Sequence, residues 1–440
     1  MNNKKWMAIL LGGIMAASLA APCSVSAAEK TTLTFWHAMG GTNGEVLQQI
    51  VDDFNASQDE IEIKAEYQGT YDDTITKLKA AMQSDSGLPD VCQMYDVGTK
   101  FMYDSGAVIP VEDKFESTGY DKSSVMDVIS SYYTVDGKQY AMPFNVSTPM
   151  LYYNKDVFEA AGLDPETPPT TYDEVLEDAK KIVESGAAPV GYSQAIYGWF
   201  FEQQLAGLGV TYGNNDNGRT EAVTAVDFDS NGGGLKVFDM WKKLYDSGYF
   251  EDYGTTTADT QTAFFSGQVG MIIESTAILK NAVDSSPFEV GTGYLPRIEQ
   301  NDEGGVIIGG GSLWLTDTGN EANEDAAWKF IEYITTPDVQ AKWSMGTGYF
   351  AINEKAYETE DMKAYLKENP NFETAINQLK DSPVNCNTAG VLSGVQTEAR
   401  LTFNEIMPQV YDGKLTTQDA VDQLAVSVNK AIENYNESIK

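Results

Sequence analysis

The sequence predicts an α/β protein made of two lobes, and three observations support this fold class. Near the amino terminus, strand and helix patterns follow the order β-α-β-α-β, which is typical of a parallel sheet with helices on its faces. The chain has 440 residues, about three times the length of a typical domain. No low-complexity linker separates two halves, so we expect the chain to cross between the lobes more than once.

The strands and helices of this amino-terminal unit are predicted from the periodic spacing of its apolar residues. Residues 32–36 alternate polar and apolar side chains before the Gly40-Gly41 break, as in a half-buried strand. Residues 61–67 alternate in the same way, and the apolar run 91–95 predicts a third strand. Helical spacing between these strands runs through Val46, Leu47, Ile50, Val51, Phe54 and then Ile75, Leu78 and Met82.

Three further helices are predicted by apolar stripes later in the chain. Thr171 and Glu174 have the spacing of a capping box, and the stripe 175–183 follows them. The other two stripes lie within 235–245 and 421–432. We interpret all three stripes as core packing.

Composition restricts the function. The 29 Lys and Arg and 65 Asp and Glu give a formal net charge of −36, which disfavours nucleic acid and anionic lipid as partners because both are bound through cations. The one histidine, His37, excludes a metal site with several histidines. Of the cysteines Cys23, Cys92 and Cys386, the last two are interpreted as buried thiols. We expect no metal and no cofactor.

The first 27 residues have the pattern of a signal peptide. Lys4 and Lys5 precede the apolar stretch 6–19, and small residues at 25–27 suit cleavage. Cys23 raises the alternative of a lipid anchor, but Pro22 fits a lipobox poorly. Both interpretations place the product outside the cytoplasm, in the periplasm or the extracellular space.

Motifs of catalysis are mostly missing. The sequence has no phosphate-binding G-x-x-x-x-G-K-[ST] loop, and the 65 acidic residues make any single carboxylate pair uninformative. The cluster Gly309–Gly311 indicates either a turn with positive φ or a backbone brought close to a ligand. Residues 214–218 suggest a calcium loop, but Ala225 stands at loop position twelve, so an exposed Asn/Gly turn is favoured.

Aromatic residues give the positive signal. The chain has 7 Trp, 24 Tyr and 18 Phe, and several stand beside glycine or polar residues rather than in apolar stripes. Aromatic faces stack on sugars and polyols while phenol hydroxyls form hydrogen bonds, so a polyol-binding cleft is one interpretation and ordinary core packing is the other.

Five segments resemble extracellular solute-binding proteins of ABC importers. They are FWHAM at 35–39, YDVGT at 95–99, PFNVSTP at 143–149, IIGGGSLW at 307–314 and TGY at 347–349. Within that family, the chain is similar to the branch that binds sn-glycerol 3-phosphate and glycerophosphodiesters. The resemblance implies the two-lobe periplasmic-binding-protein (type II) fold, with a hinge and an interlobe cleft. It places lobe 1 at 30–142 plus about 288–335, and lobe 2 at 143–287 plus about 336–440.

The resemblance also implies seven ligand-binding positions and no catalytic residue. They are Tyr71, Asp96, Ser147, Ser275, Gly310, Tyr349 and Arg400. Arg400, one of only three arginines, would bind the phosphate, and Asp96, where the family has Glu, would accept bonds from glycerol hydroxyls. Tyr172 and Ile196 replace aromatic residues of the relatives.

The implied protein is a monomer that delivers its ligand to ABC permease subunits without chemistry. Two other functions stay open: a binding protein for a neutral oligosaccharide, in which Arg400 is structural, and a secreted glycoside hydrolase that uses a carboxylate pair.

Overall fold

The computed structural model of the protein describes residues 30–84 and 87–439. The predicted signal peptide 1–27 and Cys23 lie outside the described residues. Within the described ranges, no helix has both the length and the apolar character needed to span a bilayer.

The strands of the described residues belong to two main sheets and one short hairpin. In chain order they are β1 (Thr31–His37), β2 (Ile61–Tyr67), β3 (Val91–Tyr95), β4 (Val108–Ile109), β5 (Thr134–Val135), β6 (Lys138–Gln139), β7 (Met142–Ser147), β8 (Pro149–Asn154), β9 (Val190–Ser193), β10 (Val269–Ser275), β11 (Val290–Gly293) and β12 (Gly309–Thr316).

Helices cover these sheets. They are α1 (Gly41–Ser57), α2 (Tyr71–Met82), α3 (Thr99–Asp104), α4 (Val111–Thr118), α5 (Asp127–Ser130), α6 (Lys155–Ala160), α7 (Tyr172–Ser185), α8 (Gly198–Gly207), α9 (Asn214–Gly218), α10 (Gly233–Asp246), α11 (Thr257–Phe265), α12 (Leu279–Ser285), α13 (Glu321–Ile334), α14 (Pro337–Thr347), α15 (Glu360–Glu368), α16 (Asn371–Asp381), α17 (Gln396–Tyr411) and α18 (Thr417–Ser438). Short 3₁₀ turns lie at Asp96–Gly98, Lys122–Ser124, Ser131–Tyr133, Thr276–Ile278 and Glu354–Glu358.

The large sheet confirms the predicted β-α-β-α-β unit. Its strand order is β2-β1-β3-β12-β4, and β7 also pairs with β12. β1 lies parallel to both β2 and β3, with α1 and α2 as the connections. β12 then runs antiparallel to β3, so a strand from the second half of the chain completes the first sheet.

The small sheet has the order β11-β8-β10-β9. Only Thr148 separates β7 in the large sheet from β8 in the small one, and the chain returns between Gly293 and Gly309. This return is later than residue 288, because β11 still pairs with β8. Helix α14 packs on α1, so that part of the chain adjoins the large sheet. The exact limits of the two lobes stay a prediction.

Two large buried clusters and a small third one around Ala351 and Met362 form the core of the described residues, and the small sheet lies between the two large clusters. Alternation along β8 sends Met150 and Tyr152 into one cluster and Leu151 and Tyr153 into the other. Most residues of the predicted apolar stripes are buried in these clusters or packed against them, which confirms their interpretation as core. The capping box at Thr171 and Glu174 is confirmed at the start of α7. Tyr172 and Ile196 are buried in the second cluster.

Candidate functional site

The candidate site lies where the carboxyl end of β3 meets α8 and α17. Asp96 is the first residue after β3, while Arg400 lies in α17. Helices α8 and α17 approach closely at Gly198, where an added Cβ would lie 2.5 Å from the Arg400 Cα. A glycine is therefore required for α8 to reach Arg400.

Arg400 is held by carboxylates from two parts of the chain. Its Nε donates to Glu202 Oε1 at 2.8 Å, and its Nη2 donates to Glu202 Oε2 at 2.7 Å. Nη2 also donates to Asp96 Oδ2 at 2.7 Å. Gln396 adds a hydrogen bond to Glu202 at 2.9 Å, and the Tyr197 ring lies 6.0 Å from the guanidinium carbon.

Burial sets the electrostatics of this cluster. The Arg400, Asp96 and Glu202 side chains are only 7–8% exposed. Desolvation raises the pKa of the Glu202 carboxyl, against the opposing effect of Arg400. Burial lowers the pKa of Arg400, but the Asp96 and Glu202 carboxylates outweigh it and raise that pKa well above its ordinary value. The guanidinium is therefore a permanent cation shared by two carboxylates.

Tyrosine hydroxyls form the second part of the site. Asn145 Nδ2 donates to the Tyr71 hydroxyl at 2.6 Å, and Gln93 donates to Asn145 Oδ1 at 2.7 Å. Burial raises the pKa of the Tyr349 phenol. Side-chain hydrogen bonds with Asn145 and Tyr71 act in the opposite direction and lower that pKa. The Tyr71 ring stacks on Tyr95, with centroids 5.1 Å apart and an interplanar angle of 9°. Ring stacking and hydrogen bonding together therefore hold the Tyr71 side chain in place.

Gly310 and Ser147 lie on the neighbouring strands β12 and β7. Gly310 is a strand residue with φ of +91°, next to a register irregularity, and not part of a turn. A Cβ at Gly310 would lie 1.9 Å from the Asn145 carbonyl oxygen. The predicted turn is therefore wrong: the positive φ occurs within a strand, and the close approach of β7 also leaves no room for a Cβ at this position. Ser147 pairs with Gly309, one residue away.

Ser275 ends β10 in the small sheet. Its Oγ accepts a hydrogen bond from Ala277 N at 3.2 Å and so caps the following 3₁₀ turn. Its register partner is Pro149, two residues after Ser147. The structure therefore brings the predicted ligand residues together in pairs: Asp96 contacts Arg400, and Tyr71 contacts Tyr349. Gly310 lies on β12 beside β7, the strand of Ser147. Ser275 lies next to the segment in which the chain passes from β7 to β8.

Four side chains of the site were missed from the sequence: Gln93, Asn145, Glu202 and Gln396. Glu202 had a usable signal, because it begins three consecutive buried polar residues inside an otherwise apolar helix. Gln203 bonds both the N–H and the carbonyl of Ile307 at 2.8 Å, and Gln204 bonds Trp241 and Tyr172. Consecutive buried polar residues in a helix indicate that each of them has a specific hydrogen-bond partner.

Other features lie away from this cluster. A cavity of about 570 Å³ is lined by loop residues around Pro168 and Tyr294 together with residues of α8, β11 and α16, and none of the seven predicted ligand residues lines it. Among the described residues, no group of acidic, cysteine and histidine side chains is arranged to hold a metal ion. The predicted turn at 214–218 is confirmed, because three consecutive residues of the short element α9 have left-handed backbone angles. Asn217 is buried rather than exposed, and its Oδ1 accepts hydrogen bonds from Tyr212 N and Gly213 N.

The two described cysteines are both free. Cys92 is buried, and burial raises the pKa of its thiol to about 12. Cys386 is half-buried, so the prediction of a buried thiol is confirmed for Cys92 alone.

Comparison with known proteins gives consistent results. Residues 49–374 match the family described as bacterial extracellular solute-binding protein. The sn-glycerol-3-phosphate-binding periplasmic protein UgpB of Escherichia coli K12 is 31% identical over 417 residues, covering 93% of this chain and 94% of its own.

Solved structures share the fold. UgpB of Mycobacterium tuberculosis in complex with glycerophosphocholine superposes with a TM-score of 0.79 at 20% identity, covering 93% of this chain and 100% of that one. The cyclic alpha-maltosyl-1,6-maltose binding protein of Arthrobacter globiformis gives 0.76 at 26% identity, covering 92% and 100%. The two-lobe α/β fold predicted from the sequence is confirmed by these neighbours. The chain therefore belongs to the bacterial extracellular solute-binding proteins and is the substrate-binding component of an ABC importer.

Proposed function

We propose that the protein binds sn-glycerol 3-phosphate or a glycerophosphodiester and delivers it to ABC permease subunits. The observation that carries this proposal is the buried Arg400, which lies between Asp96 of the large-sheet region and Glu202 of α8. A guanidinium offers a planar fork that matches two phosphate oxygens, and burial strengthens such a contact. The 31% identical relative is named for sn-glycerol 3-phosphate.

The remaining predicted residues fit a polyol ester. Asp96 is buried beside the cation and would accept hydrogen bonds from glycerol hydroxyls. The hydroxyls of Tyr71 and Tyr349 are already positioned by Asn145. Ser147, Ser275 and the Gly310 N–H would supply neutral donors to the phosphate. We propose that no covalent step takes place, that the protein acts as an exported monomer after loss of residues 1–27, and that no cofactor takes part.

A second candidate is a neutral oligosaccharide. One observation favours it: both Nε and Nη2 of Arg400 already have carboxylate partners, as a structural arginine would. The Arthrobacter globiformis neighbour is a binding protein for a cyclic maltosyl-maltose. In this case Asp96, Tyr71 and Tyr349 would contact sugar hydroxyls.

A thermal-shift panel distinguishes the two candidates. A ligand at 100 times its Kd adds about 2.7 kcal/mol of apparent stability, which raises the Tm measurably. We expect glycerol 3-phosphate or glycerophosphocholine to raise the Tm and maltose to leave it unchanged. A rise with maltose alone favours the oligosaccharide. Recovery of intact glycerophosphocholine after long incubation is expected, and release of choline would indicate a hydrolase.

A further inference from the structure

Glu202 occupies the edge of Arg400 that a phosphate would use. Two parallel hydrogen bonds join Nε to Oε1 and Nη2 to Oε2, at 2.8 and 2.7 Å. This is the two-point geometry with which a guanidinium also binds two phosphate oxygens. A phosphate ester cannot take this edge while the ionised Glu202 holds it.

The charge around Arg400 also opposes an anion. Asp96 takes a second bond from Nη2, so two carboxylates face one guanidinium. Gln396 is the neutral partner of Glu202 on α17. The Glu202 carboxylate also raises the pKa of the Tyr132, Tyr197 and Tyr212 phenols, which face it from neighbouring parts of the chain. A phosphate diester added to this buried cluster would bring a third negative charge against one cation.

We propose that Glu202 is a specificity-determining residue that competes with the phosphate ester for Arg400, so that the anionic ligand binds together with one proton. The proton comes from solvent and is taken up by the Glu202 carboxylate, which then leaves the guanidinium edge as a neutral acid. No bond other than this O–H is made. The inference rests on the proposed function.

The same cluster predicts different behaviour for the two ligand classes. A neutral sugar leaves the pair of Glu202 and Arg400 intact and takes up no proton. The protein binds a phosphate ester more tightly as pH falls, because the protonated Glu202 releases the Nε and Nη2 edge of the Arg400 guanidinium. Burial, which raises the pKa of the Glu202 carboxyl, makes this proton uptake easier.

Calorimetry with glycerophosphocholine tests the inference. A phosphodiester has no ionisation of its own near neutral pH, so proton uptake on binding reports on the protein. The titration is run from pH 6 to pH 8.5 in buffers of different ionisation enthalpy. The variants are Glu202→Gln and, as matched control, Glu398→Gln, which changes an exposed carboxyl on α17 two residues from Arg400.

For the parent and Glu398→Gln we expect uptake of about one proton and an affinity that falls up to about tenfold per pH unit as pH rises. Glu202→Gln should bind with no proton uptake and, at pH 8, about tenfold or more tightly than the parent. Binding by the parent without proton uptake overturns this inference alone, and so does unchanged uptake in Glu202→Gln. If the folded parent binds no phosphate ester, the proposed function fails and this inference fails with it.

Discussion

Glu202 and Arg400 meet edge to edge, although 198 residues separate them in the sequence. Asp96 meets the same guanidinium from the end of β3. One arginine thus joins three distant segments and offsets part of the negative charge of the two buried carboxylates. Stability and ligand binding are therefore coupled at this position.

Removing that cation should destabilise the protein. In Arg400→Ala, the buried Glu202 and Asp96 lose their partner, and such losses cost about 3–5 kcal/mol. The pKa of Glu202 should rise further above its unfolded value, so the added instability should grow as pH increases. Urea unfolding at pH 6 and pH 8 measures both effects. The double variant Arg400→Leu with Glu202→Leu should recover part of the loss, and equal stability of Arg400→Ala and parent would contradict the burial of this pair.

Gly310 should tolerate no side chain. In Gly310→Ala, the new Cβ would overlap the Asn145 carbonyl oxygen at 1.9 Å, and the φ of +91° would be strained as well. Because Asn145 positions the Tyr71 hydroxyl, we expect lower stability and weaker ligand binding together. Gly319→Ala is the control, since its φ is also positive but no atom lies within 4 Å of an added Cβ. Denaturation and ligand titration of both variants check this, and equal effects would show that φ alone matters.

His37 should stay neutral well below its usual range. Burial lowers the pKa of this histidine to about 4 from 6.5. Between these values the unfolded chain binds a proton that the folded protein does not, so stability should fall as pH drops from 6.5 towards 4. Since the chain has one histidine, its imidazole NMR signal gives the pKa directly.

His37→Asn removes that titration and keeps a side-chain acceptor near Met39 N, which Nδ1 contacts at 3.3 Å. The variant should lose less stability than the parent over the same pH range. A measured pKa near 6.5 would contradict the buried, neutral histidine.

The sequence predicted the fold well because strand and helix periods are local. The order of β1 to β3 and the stripes of α7, α10 and α18 depend on neighbouring residues, and the structure has them. The features that the sequence did not predict involve long-range contacts. Glu202 lies far from Arg400 in the sequence, and the pairing of β7 with β12 brings Gly310 close to the Asn145 carbonyl. Local pattern carries no information on such approaches. The seven ligand positions came from a family resemblance, and their roles stay a proposal.

Contacts between the large-sheet region and α18 should favour the closed cleft. The Tyr435 hydroxyl in α18 donates to Asp104 Oδ2 in α3 at 2.6 Å. Tyr435→Phe removes this bond, whose loss costs about 0.5–1.5 kcal/mol. We expect ligand affinity to fall by up to roughly 13-fold and the radius of gyration without ligand to increase. Small-angle scattering and calorimetry measure the two quantities, and an unchanged affinity would show that this bond is not part of closure.

The account depends most on whether Arg400 binds the phosphate of a glycerol ester. Calorimetry with glycerophosphocholine and with maltose on the parent and on Arg400→Lys tests this directly, because lysine keeps the positive charge near Asp96 and Glu202 but lacks the planar fork. We expect the parent to bind glycerophosphocholine and not maltose, and Arg400→Lys to lose about 2 kcal/mol or more, roughly 30-fold in affinity. Binding of glycerophosphocholine by Arg400→Lys as tightly as by the parent, or binding of maltose alone, would contradict the account.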